Sequence, residues 1–559
     1  MSFSNIKNVR NLSLLPEIKR LVNYQAKNLD TKPKMVAILD KRTSEHQKLQ
    51  KEIKNYINNP PTILSLINGV QNIPESTYQA QISPFYHHPV VANFSYTPKE
   101  PLYNGLKNFQ KGKDHWNQVP IEDRMEIMLK IADLVKGKYY YKMMAATIVG
   151  QGKSIGEADI DCIQELVDFL NFNVQFSLEI LKKQPISTDN ISNYSIYKPL
   201  NGYVASYTPF NFTAIAGNLA TAPLIWGNSV FWKPSENSLL SNNLFYEICL
   251  EAGVPPEVLH FVIADYNTFT QQITSNKNLG AVLFTGSTFG FNNVIKEIND
   301  NYYNQHVELT SNKIREKSYN YPRLIGETGG KNFHFVDVEA NIDLAVDKTF
   351  QSAFGYSGQK CSACSRLYLP ESMWEEFKKK MIQKIKQMNT SEITVIRDYK
   401  YNELSSFLKE LNDDPSIEIY QWHEPDNTEN YFIPPTLVLC FDENHSILKR
   451  ELFGPILSIR LYSEQNKFKM MEECKKTTPY SLTGAVFSDS EAFLNHSIEY
   501  FGESCGNFYI NDKSTGAVVG QQPFGGFGIS GTNDKAGDSN FMLRLCHQQN
   551  VKVNNYNSD

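Results

Sequence analysis

The chain has 559 residues, of which 41% are hydrophobic and 21% charged, with a formal net charge of −5 and a pI near 6.2. This length and apolar content predict two or more globular domains with sizeable cores. A protein with this negative net charge has no overall positive field to attract nucleic acid or an anionic membrane. The charge therefore argues against both partners and favours a small-molecule ligand.

Cysteine use and the apolar stretches point to a reducing compartment and to a protein that does not insert into a membrane. The eight cysteines show no paired spacing, as expected without a disulfide framework. The most apolar stretch, residues 203–232, is interrupted by proline, glycine and asparagine, which predicts buried core. Residues 1–29 carry five basic residues against Glu17 alone, a bias that predicts a mitochondrial presequence, with the cytoplasm as the alternative location.

Residues 1–95 offer little chemistry. They are mostly polar, with a weak helical pattern at residues 48–57 and turn-rich sequence after Pro60. The adjacent His87 and His88 have no companion cluster of ligands, so we interpret them as surface residues, and no metal site is predicted.

A helix is predicted directly after Pro120, because apolar residues recur at helical spacing from Ile121 to Val135. A second helix is predicted over residues 157–182. From residue 195 onward short apolar strands alternate with helices. The predicted strands are residues 203–206, 229–232, 259–262 and 281–285, and the predicted helices are residues 211–224, 239–251, 269–275 and 288–298. This alternation predicts an α/β fold with a mostly parallel sheet that binds nucleotides at its carboxyl edge.

The turn from Gly286 to Gly290 follows a predicted strand and opens a helix. Glycine lets a phosphate approach the backbone, and the free amides of a helix N-terminus favour an anion. The pattern is not G-x-G-x-x-G, so alone it is a weak signal. Residues 299–322, rich in Asn, Tyr and charge, predict a surface excursion between domains.

Residues 323–336 predict a strand, a glycine loop and a second strand, with Glu327 at the start of the loop. A carboxylate beside glycines is commonly a solvated turn. The alternative is a general base whose pKa is raised by burial. Helices are predicted after it at residues 343–354 and 371–388.

Cys361 lies in a Gly- and Ser-rich loop between two helical patterns and is the candidate nucleophile. A free thiol has a pKa of about 8.5, so its thiolate needs nearby amides or a cation, such as Lys360. Two alternatives remain: a small buried hydrophobe, or a redox or zinc pair with Cys364. A structural zinc site needs four ligands, and the remaining cysteines are scattered singly, which disfavours zinc.

Seven short motifs, in this order, resemble those of the aldehyde dehydrogenase superfamily. They are residues 208–211 (TPFN), 233–236 (KPSE), 284–288 (FTGST), 327–331 (ETGGK), 358–361 (GQKC), 451–455 (ELFGP) and 523–526 (PFGG). Four further segments resemble the branch that oxidises L-glutamate γ-semialdehyde: residues 150–154, 359–368, 506–516 and 530–535. The likeness runs from about residue 80 to the C-terminus, and such combined motifs are specific.

The resemblance implies a Rossmann-type NAD domain, an α/β catalytic domain and a small β oligomerisation flap. The expected divisions are residues 30–325 for NAD binding, with 186–202 in the flap, 326–510 for catalysis, and 511–559 for a substrate-anchor loop and a C-terminal oligomerisation segment. It also implies NAD-dependent oxidation of L-glutamate γ-semialdehyde to L-glutamate in proline catabolism, by a homo-oligomer, with a dimer favoured. The alternatives are a different aldehyde substrate or a non-catalytic protein that keeps the fold.

The resemblance also assigns roles. Cys361 would attack the aldehyde, the Asn211 side chain and the Cys361 N–H would hold the oxyanion, and Glu327 would activate water. The implied cofactor residues are Thr208, Lys233, Glu236, Gly286, Ser287, Thr288, Phe289, Gly290, Glu451 and Phe453. The implied substrate residues are Ser530, Gly531, Ser362 and Phe212. Glu236 beside the ribose 2′-hydroxyl predicts NAD over NADP.

Three departures from the superfamily pattern accompany this resemblance. Gly528 stands where many relatives have a basic residue, residues 299–322 are longer than usual, and residues 392–430 are shorter. None of these departures changes Cys361, Glu327 or Asn211.

Overall fold

The computed structural model describes residues 32–72, 78–307 and 320–555. The predicted presequence, residues 1–29, lies outside the described residues, as does half of the predicted surface excursion at 299–322, namely residues 308–319. Residues 299–307 of that excursion are helical, because the helix expected to stop at residue 298 continues to Val307.

The first large sheet has seven strands and a mostly parallel centre, as the alternating pattern predicts. In spatial order its strands are β11 (Arg323–Glu327), β10 (Leu279–Thr285), β7 (Tyr203–Tyr207), β8 (Val230–Lys233), β9 (Leu259–Phe261), β2 (Leu66–Ile67) and β3 (Val70–Gln71). The first five are mutually parallel, and β2 and β3 add antiparallel to the β9 edge.

Helices cover both faces of this sheet. They are α1 (Lys32–Leu39), α2 (Ser44–Asn58), α3 (Lys99–Gln118), α4 (Ile121–Lys136), α5 (Tyr140–Gln151), α6 (Ile155–Ala158), α7 (Leu166–Lys182), α8 (Thr213–Ile225), α9 (Leu239–Ala252), α10 (Tyr266–Phe269) and α11 (Thr288–Val307). Along β7, Tyr203 and Ala205 pack into one apolar cluster and Val204 into another, so both faces are buried.

The second large sheet also has seven strands. Its order is β14 (Ile417–Tyr420), β15 (Thr436–Cys440), β16 (Ile456–Tyr462), β13 (Cys364–Pro370), β12 (Asn332–Val336), β18 (Thr483–Phe487) and β19 (Asn507–Ile510), and only the β14 edge is antiparallel. The helices after β12 are α12 (Ile342–Phe354), α13 (Trp374–Lys386), α14 (Asp398–Asn412), α15 (Lys467–Lys476), α16 (Glu491–Phe501) and α17 (Ser539–Leu543). Two parallel, helix-covered sheets agree with the α/β class predicted from the sequence, which is thereby confirmed.

Several predicted boundaries are wrong in an informative way. The helix expected over residues 157–182 is α6, then a π-helical segment Asp159–Glu165, then α7. The helix expected at 269–275 starts at Tyr266, where the Asp265 side chain caps it, and continues as a π turn. The helix expected at residues 371–388 begins with a 3₁₀ turn and ends at Lys386. Apolar periodicity does not distinguish these helix types.

The turn-rich reading of residues after Pro60 is also wrong. Besides β2 and β3, this region forms β1 (Thr62–Ile63), β4 (Gln79–Ile82) and β5 (Val90–Phe94), which make a separate three-stranded sheet. Strands of two to five residues depend on their partners more than on local sequence, so they leave little pattern to read. His87 and His88 lie here, where His88 stacks on Tyr431 with ring centroids 4.0 Å apart.

Two further pairs of strands complete the described chain. β17 (Tyr480–Ser481) pairs with β20 (Phe527–Gly528). β6 (Ile191–Pro199) pairs antiparallel with β21 (Cys546–Asn554) over nine residues, and we call this pair the ribbon. None of the helices within the described ranges combines the length and hydropathy that a membrane span requires.

Candidate active site

Cys361 lies in the loop between α12 and β13, after a 3₁₀ turn at Gly355–Gly358. Tyr356 and Ser357 in that turn have left-handed backbone angles, with φ of 51° and 52°. Such angles persist where surrounding bonds hold them. The Tyr356 hydroxyl donates to the Gln151 carbonyl at 2.6 Å, and the Ser357 hydroxyl accepts from the Thr394 N–H at 3.1 Å. The Cys361 loop is thus fixed from both sides.

Two cavities meet at Cys361. One is a cleft along the first sheet, and the other is a more enclosed cavity beside α7 and α8. Both are lined by Cys361, Ile215, Phe284 and Thr285. A sulfur atom at this junction can contact one molecule in the cavity while another occupies the cleft.

The cleft gathers most of the predicted cofactor residues. Those lining it are Thr208, Lys233, Glu236, Gly286, Ser287, Phe289, Gly290, Glu451 and Phe453, together with the predicted catalytic Asn211. Thr288 is not in the lining, and its hydroxyl donates to the Ile529 carbonyl at 3.4 Å. Lys400 and Tyr266 also line the cleft, and neither carried a sequence signal because each lies outside the seven motifs.

The cleft suits a dinucleotide. It lies at the carboxyl ends of β7, β8 and β10, where parallel sheets bind nucleotides. Helix α11 starts at Thr288, and its first-turn N–H groups have no acceptors inside the helix, which favours a phosphate. Burial lowers the pKa of Lys233, while Glu236 and Asp265 act against that shift.

Glu451 occupies a position that only glycine neighbours allow. Its Oε1 accepts from the Gly330 N–H at 2.9 Å. A Cβ on Gly329 would lie 2.1 Å from Glu451 Oε2. Burial raises the pKa of this carboxyl, and the bond from Gly330 opposes the rise. Gly329 and Gly330 therefore make room for the Glu451 carboxylate within the cleft.

The enclosed cavity contains Glu327, Cys361, Ser362 and Phe212. Much of its remaining wall is apolar, from residues such as Phe169, Ile215, Leu219, Ile325, Val519, Phe524 and Phe541. A few polar groups in an apolar enclosure are typical of a small-molecule site.

Ser530 and Gly531 are not in this lining. Ser530 is fully buried, its hydroxyl accepts from the Ser481 N–H at 3.0 Å, and its carbonyl accepts from the Thr328 N–H at 2.9 Å. Gly531 bridges to Glu327 through the backbone. They therefore support the strand that carries Glu327. From this part of the chain the cavity is lined by Gly516, Ala517 and the segment that follows, which the glycine-rich C-terminal sequence signalled only in part.

Glu327 is the last residue of β11, and its carboxylate lies against Gly525 and Gly526. Oε2 accepts from the Gly526 N–H at 3.3 Å, and a Cβ on Gly525 would lie 2.7 Å from Oε1. Burial raises the pKa of Glu327 well above its usual range, with only partial compensation from the Gly526 N–H and Lys535. A carboxyl group with a raised pKa is suited to exchange protons near neutral pH.

The Cys361 thiol is protonated in this state. Burial, followed by the charges of Glu327 and Glu451, raises its pKa to about 12. The N–H groups of Ser362 and Cys361 oppose that rise, as expected for the loop amides, but Lys360 is not among the groups that do so. Lys360 is itself buried, which lowers its pKa, and it interacts with Glu157 and Glu165.

Asn211 approaches the cysteine loop from the first sheet. Its side-chain Nδ2 donates to the Gln359 carbonyl at 3.0 Å. Asn332 holds the same loop from the second sheet, because its Nδ2 donates to the carbonyls of Cys361 at 2.7 Å and Ala363 at 2.9 Å. The Asn211 amide carries two hydrogens, so it can keep its bond to Gln359 and donate its second N–H to an oxyanion.

Glu165 is a site residue that sequence reasoning missed. It lines the enclosed cavity from the π-helical segment, and burial with the nearby Asp161 raises its pKa to about 8. No motif included it, and a π turn within a long helical pattern leaves no periodic signal.

Cys364 does not share the cavities with Cys361. It is buried at the start of β13, within the apolar cluster of the second sheet, and its thiol donates to the Arg366 carbonyl at 3.5 Å. Among the described residues no group of three or more His, Cys, Asp or Glu could hold a metal ion.

Comparison with known proteins agrees with this geometry. A sequence model of the aldehyde dehydrogenase family matches residues 73–551. The chain is 38% identical over 517 residues to the mitochondrial delta-1-pyrroline-5-carboxylate dehydrogenase of Homo sapiens, covering 91% of this chain and 89% of that protein. It is 39% identical over 515 residues to the Bos taurus protein of the same name, covering 90% and 88%.

Solved structures show the same likeness. The delta-pyrroline-5-carboxylate dehydrogenase from Mycobacterium tuberculosis, bound with NAD, aligns with a TM-score of 0.85 and 32% identity over 92% of this chain and 94% of that one. The Thermus enzyme with bound NAD aligns with a TM-score of 0.81 and 25% identity over 92% and 97%.

Proposed function

Because the chain belongs to the aldehyde dehydrogenase family, we propose that it oxidises L-glutamate γ-semialdehyde to L-glutamate, with NAD as the oxidant, in proline catabolism. The observation that carries this proposal is the position of Cys361 at the junction of a dinucleotide cleft and an enclosed cavity that also contains Glu327. The substrate is inferred from the relatives, which are delta-1-pyrroline-5-carboxylate dehydrogenases.

The first step is assigned to Cys361. Its thiolate adds to the aldehyde carbon, and the Asn211 carboxamide and the Cys361 N–H donate to the resulting oxyanion. One such donor is worth about 3 kcal/mol in a transition state. When bound in the cleft, NAD supplies the acceptor for the hydride that the carbon loses. The product of that loss is a thioester on Cys361.

The second step is assigned to Glu327. Its carboxylate takes a proton from water as the water attacks the thioester, and the thiolate leaves with release of the carboxylic acid. Gly525 and Gly526 enclose the carboxylate, and the raised pKa of Glu327 makes it a stronger base than an exposed glutamate. Thr208, Lys233, Glu236 and the turn of Gly286 to Gly290 are assigned to the cofactor.

The polar end of the substrate has matching groups in the cavity. L-Glutamate γ-semialdehyde carries an ammonium and a carboxylate, and Glu165 offers the former a carboxyl group whose ionised form the ammonium would favour. Within the described chain, the N–H groups of Gly516 and Ala517 have no protein hydrogen-bond acceptor, and both residues line the cavity. Free backbone amides suit a carboxylate. We therefore assign the carboxylate to this segment, with Phe212 and Ser362 as walls.

We also propose a homo-oligomer, with a dimer favoured, in the mitochondrial matrix. An isolated two-stranded pair is marginal in water, and within the described chain the ribbon joins no larger sheet, so a second copy would complete it. The relatives from Homo sapiens, Bos taurus and Dictyostelium discoideum are named as mitochondrial. The basic bias of residues 1–29 supports the same location.

The central test compares two substrates and two variants. Purified protein with NAD should form NADH, followed by absorbance, with kcat/KM far higher for the semialdehyde than for a simple aliphatic aldehyde. Cys361→Ala should abolish NADH formation while NAD still binds. Equal rates on both aldehydes would reject the substrate, and NADH formation by Cys361→Ala would reject the nucleophile.

Glu327→Gln separates the two chemical steps. It should keep a rapid burst of about one NADH per active site and lower the steady-state rate by about 100-fold or more, since general bases contribute about 10²- to 10⁴-fold. Stopped-flow absorbance measures both phases. Steady-state turnover at the wild-type rate would remove Glu327 as the base.

A further inference from the structure

Residues 150–154 resemble one branch of the superfamily, yet none of them lines either cavity. Lys153 in this segment forms an ion pair with Asp161 of the π-helical segment, with Nζ and Oδ2 2.6 Å apart. The two side chains are only 2% and 1% exposed. Burying such a pair costs desolvation that hydrophobic residues would avoid, so it is weak as a source of stability. Its contacts identify another role.

Asp161 caps the helix that follows the predicted oxyanion donor. Its Oδ2 accepts from the Thr213 N–H at 3.0 Å, and its Oδ1 accepts from the Ala214 N–H at 2.9 Å. These are the first two residues of α8, and Phe212 at the N-cap position provides no side-chain cap. An acidic group at a helix N-terminus is favoured by the free amides and the helix dipole. The cap thus comes from a residue 52 positions earlier.

Gln151 holds the other side of the same turn. Its Nε2 donates to the Phe210 carbonyl at 2.6 Å, and its Oε1 accepts from the Thr213 hydroxyl at 3.0 Å. The turn that contains Asn211 and Phe212 is therefore bonded at residue 210 before it and at residues 213 and 214 after it.

The same cluster reaches the cysteine loop. Lys153 Nζ lies 4.1 Å from the ring centroid of Phe212 and 4.8 Å from that of Tyr356, which is cation–π distance. The Tyr356 hydroxyl donates to the Gln151 carbonyl at 2.6 Å. One buried cluster therefore contacts both the turn that carries Asn211 and the left-handed turn ahead of Cys361.

We propose that Gln151, Lys153 and Asp161 form a positioning cluster that sets the Asn211 carboxamide and the Phe212 ring relative to Cys361. None of the three is assigned contact with the reacting atoms, so they act through Asn211. The inference rests on the proposed dehydrogenase chemistry. A misplacement of about 1 Å in such a site costs about 100-fold in rate.

The test is a double-mutant cycle between Asp161→Asn and Asn211→Ala, read as the rate of the NADH burst. Asp161→Asn alone should slow the burst by about 10- to 100-fold, with KM for NAD changed by less than about twofold. In the Asn211→Ala background it should slow the burst by less than about threefold, because its effect passes through Asn211. If the double variant lost burst rate by the product of the two single-variant losses, the proposal would be overturned.

Gln151→Leu provides a second variant that leaves the ion pair intact. It should show the same non-additivity with Asn211→Ala, which keeps the proposal testable where Asp161→Asn does not fold. The matched control is Lys113→Met. Lys113 is a buried lysine whose ammonium donates to the carbonyls of Leu200 and Gly202, away from both cavities. The Lys113→Met variant should have a lower melting temperature and an unchanged NADH burst. If it slowed the burst as much as Asp161→Asn does, the specific role of the positioning cluster would be rejected.

The cycle is measured with the semialdehyde and with a simple aliphatic aldehyde. Coupling seen with either substrate supports the positioning role, even where the semialdehyde proves to be the wrong substrate. Additive losses with a substrate that the wild type oxidises reject the positioning role and leave the proposed function standing.

Discussion

Cys361 and Glu327 are both partly buried, and their desolvation raises the pKa of each group. The thiol is thereby kept protonated and weakly reactive until other charges enter the site. A positively charged nicotinamide beside Cys361 would stabilise the thiolate, since an opposite charge favours the ionised form. Reactivity should therefore depend on whether the cleft is filled.

Alkylation of Cys361 by iodoacetamide tests that dependence. Because the pKa is raised to about 12, the thiolate fraction and the alkylation rate should rise about tenfold per pH unit between pH 7 and 9, without levelling near the usual value of about 8.5. NAD⁺ should lower the apparent pKa and speed the reaction, and NADH should do so less. Peptide mass spectrometry follows the labelled residue, and a rate independent of pH over this interval would contradict the assignment.

Glu236 is the residue that we expect to exclude NADP. It lines the cleft beside Lys233, and a carboxylate there would repel a ribose 2′-phosphate. Glu236→Ser should raise the NADP-to-NAD ratio of kcat/KM by about tenfold, since a tenfold change corresponds to about 1.4 kcal/mol. Initial rates with both cofactors measure the ratio. Glu247→Ser, on the exposed side of α9, is the matched control and should leave it unchanged.

At the scale of elements, the loop between β11 and β12 combines two requirements. It presents Glu327 to the enclosed cavity and leaves room at Gly329 and Gly330 for Glu451. A single short loop therefore links the water-activating carboxylate to the cofactor cleft.

Gly329→Ala tests the space requirement. The added Cβ would lie 2.1 Å from Glu451 Oε2, so the carboxylate must move away from its place in the cleft. We expect KM for NAD to rise by about tenfold, a loss of about 1.4 kcal/mol in binding. Gly156→Ala is the control, since a Cβ there meets nothing within 4 Å. Steady-state titration with NAD distinguishes them, and equal KM values would show that Glu451 is not displaced.

At the scale of the whole molecule, the site lies between the two large sheets. The Asn211 amide from the first sheet donates to Gln359 in the loop ahead of β13, 148 residues away in sequence. The enclosed cavity likewise takes walls from α7, α8 and the C-terminal segment after Thr515. Neither large sheet with its helices alone contains a complete site.

The ribbon provides the prediction at this scale. Ending the chain after Leu545 removes β21 and leaves β6 without its partner. The truncated protein should sediment as a monomer, because the proposed oligomer contact is lost. Removing only residues 556–559 keeps the strand and should leave the oligomer intact. Sedimentation velocity of both proteins gives the answer, and an unchanged oligomer after the longer truncation would place the contact elsewhere.

The sequence by itself determined the order of strands and helices from residue 203 to residue 354 and the family, and it proposed Cys361, Glu327 and Asn211 as the catalytic residues. This was possible because strand and helix periodicity, glycine turns and chemical motifs are local properties of the chain. Most of the predicted cofactor residues lie together in the cleft for the same reason, since Thr208, Lys233, Glu236 and the turn of Gly286 to Gly290 lie at or just after the ends of parallel strands at one edge of the sheet.

Only the tertiary structure decided which groups share a cavity. It placed Gly516 and Ala517, and not Ser530 and Gly531, in the lining of the enclosed cavity, and it brought in Glu165 from a π turn. It also placed the Asp161 cap on α8 and gave the short strands after Pro60 their partners. These features depend on contacts between residues far apart in sequence, and packing leaves no periodic trace of such contacts in the chain itself.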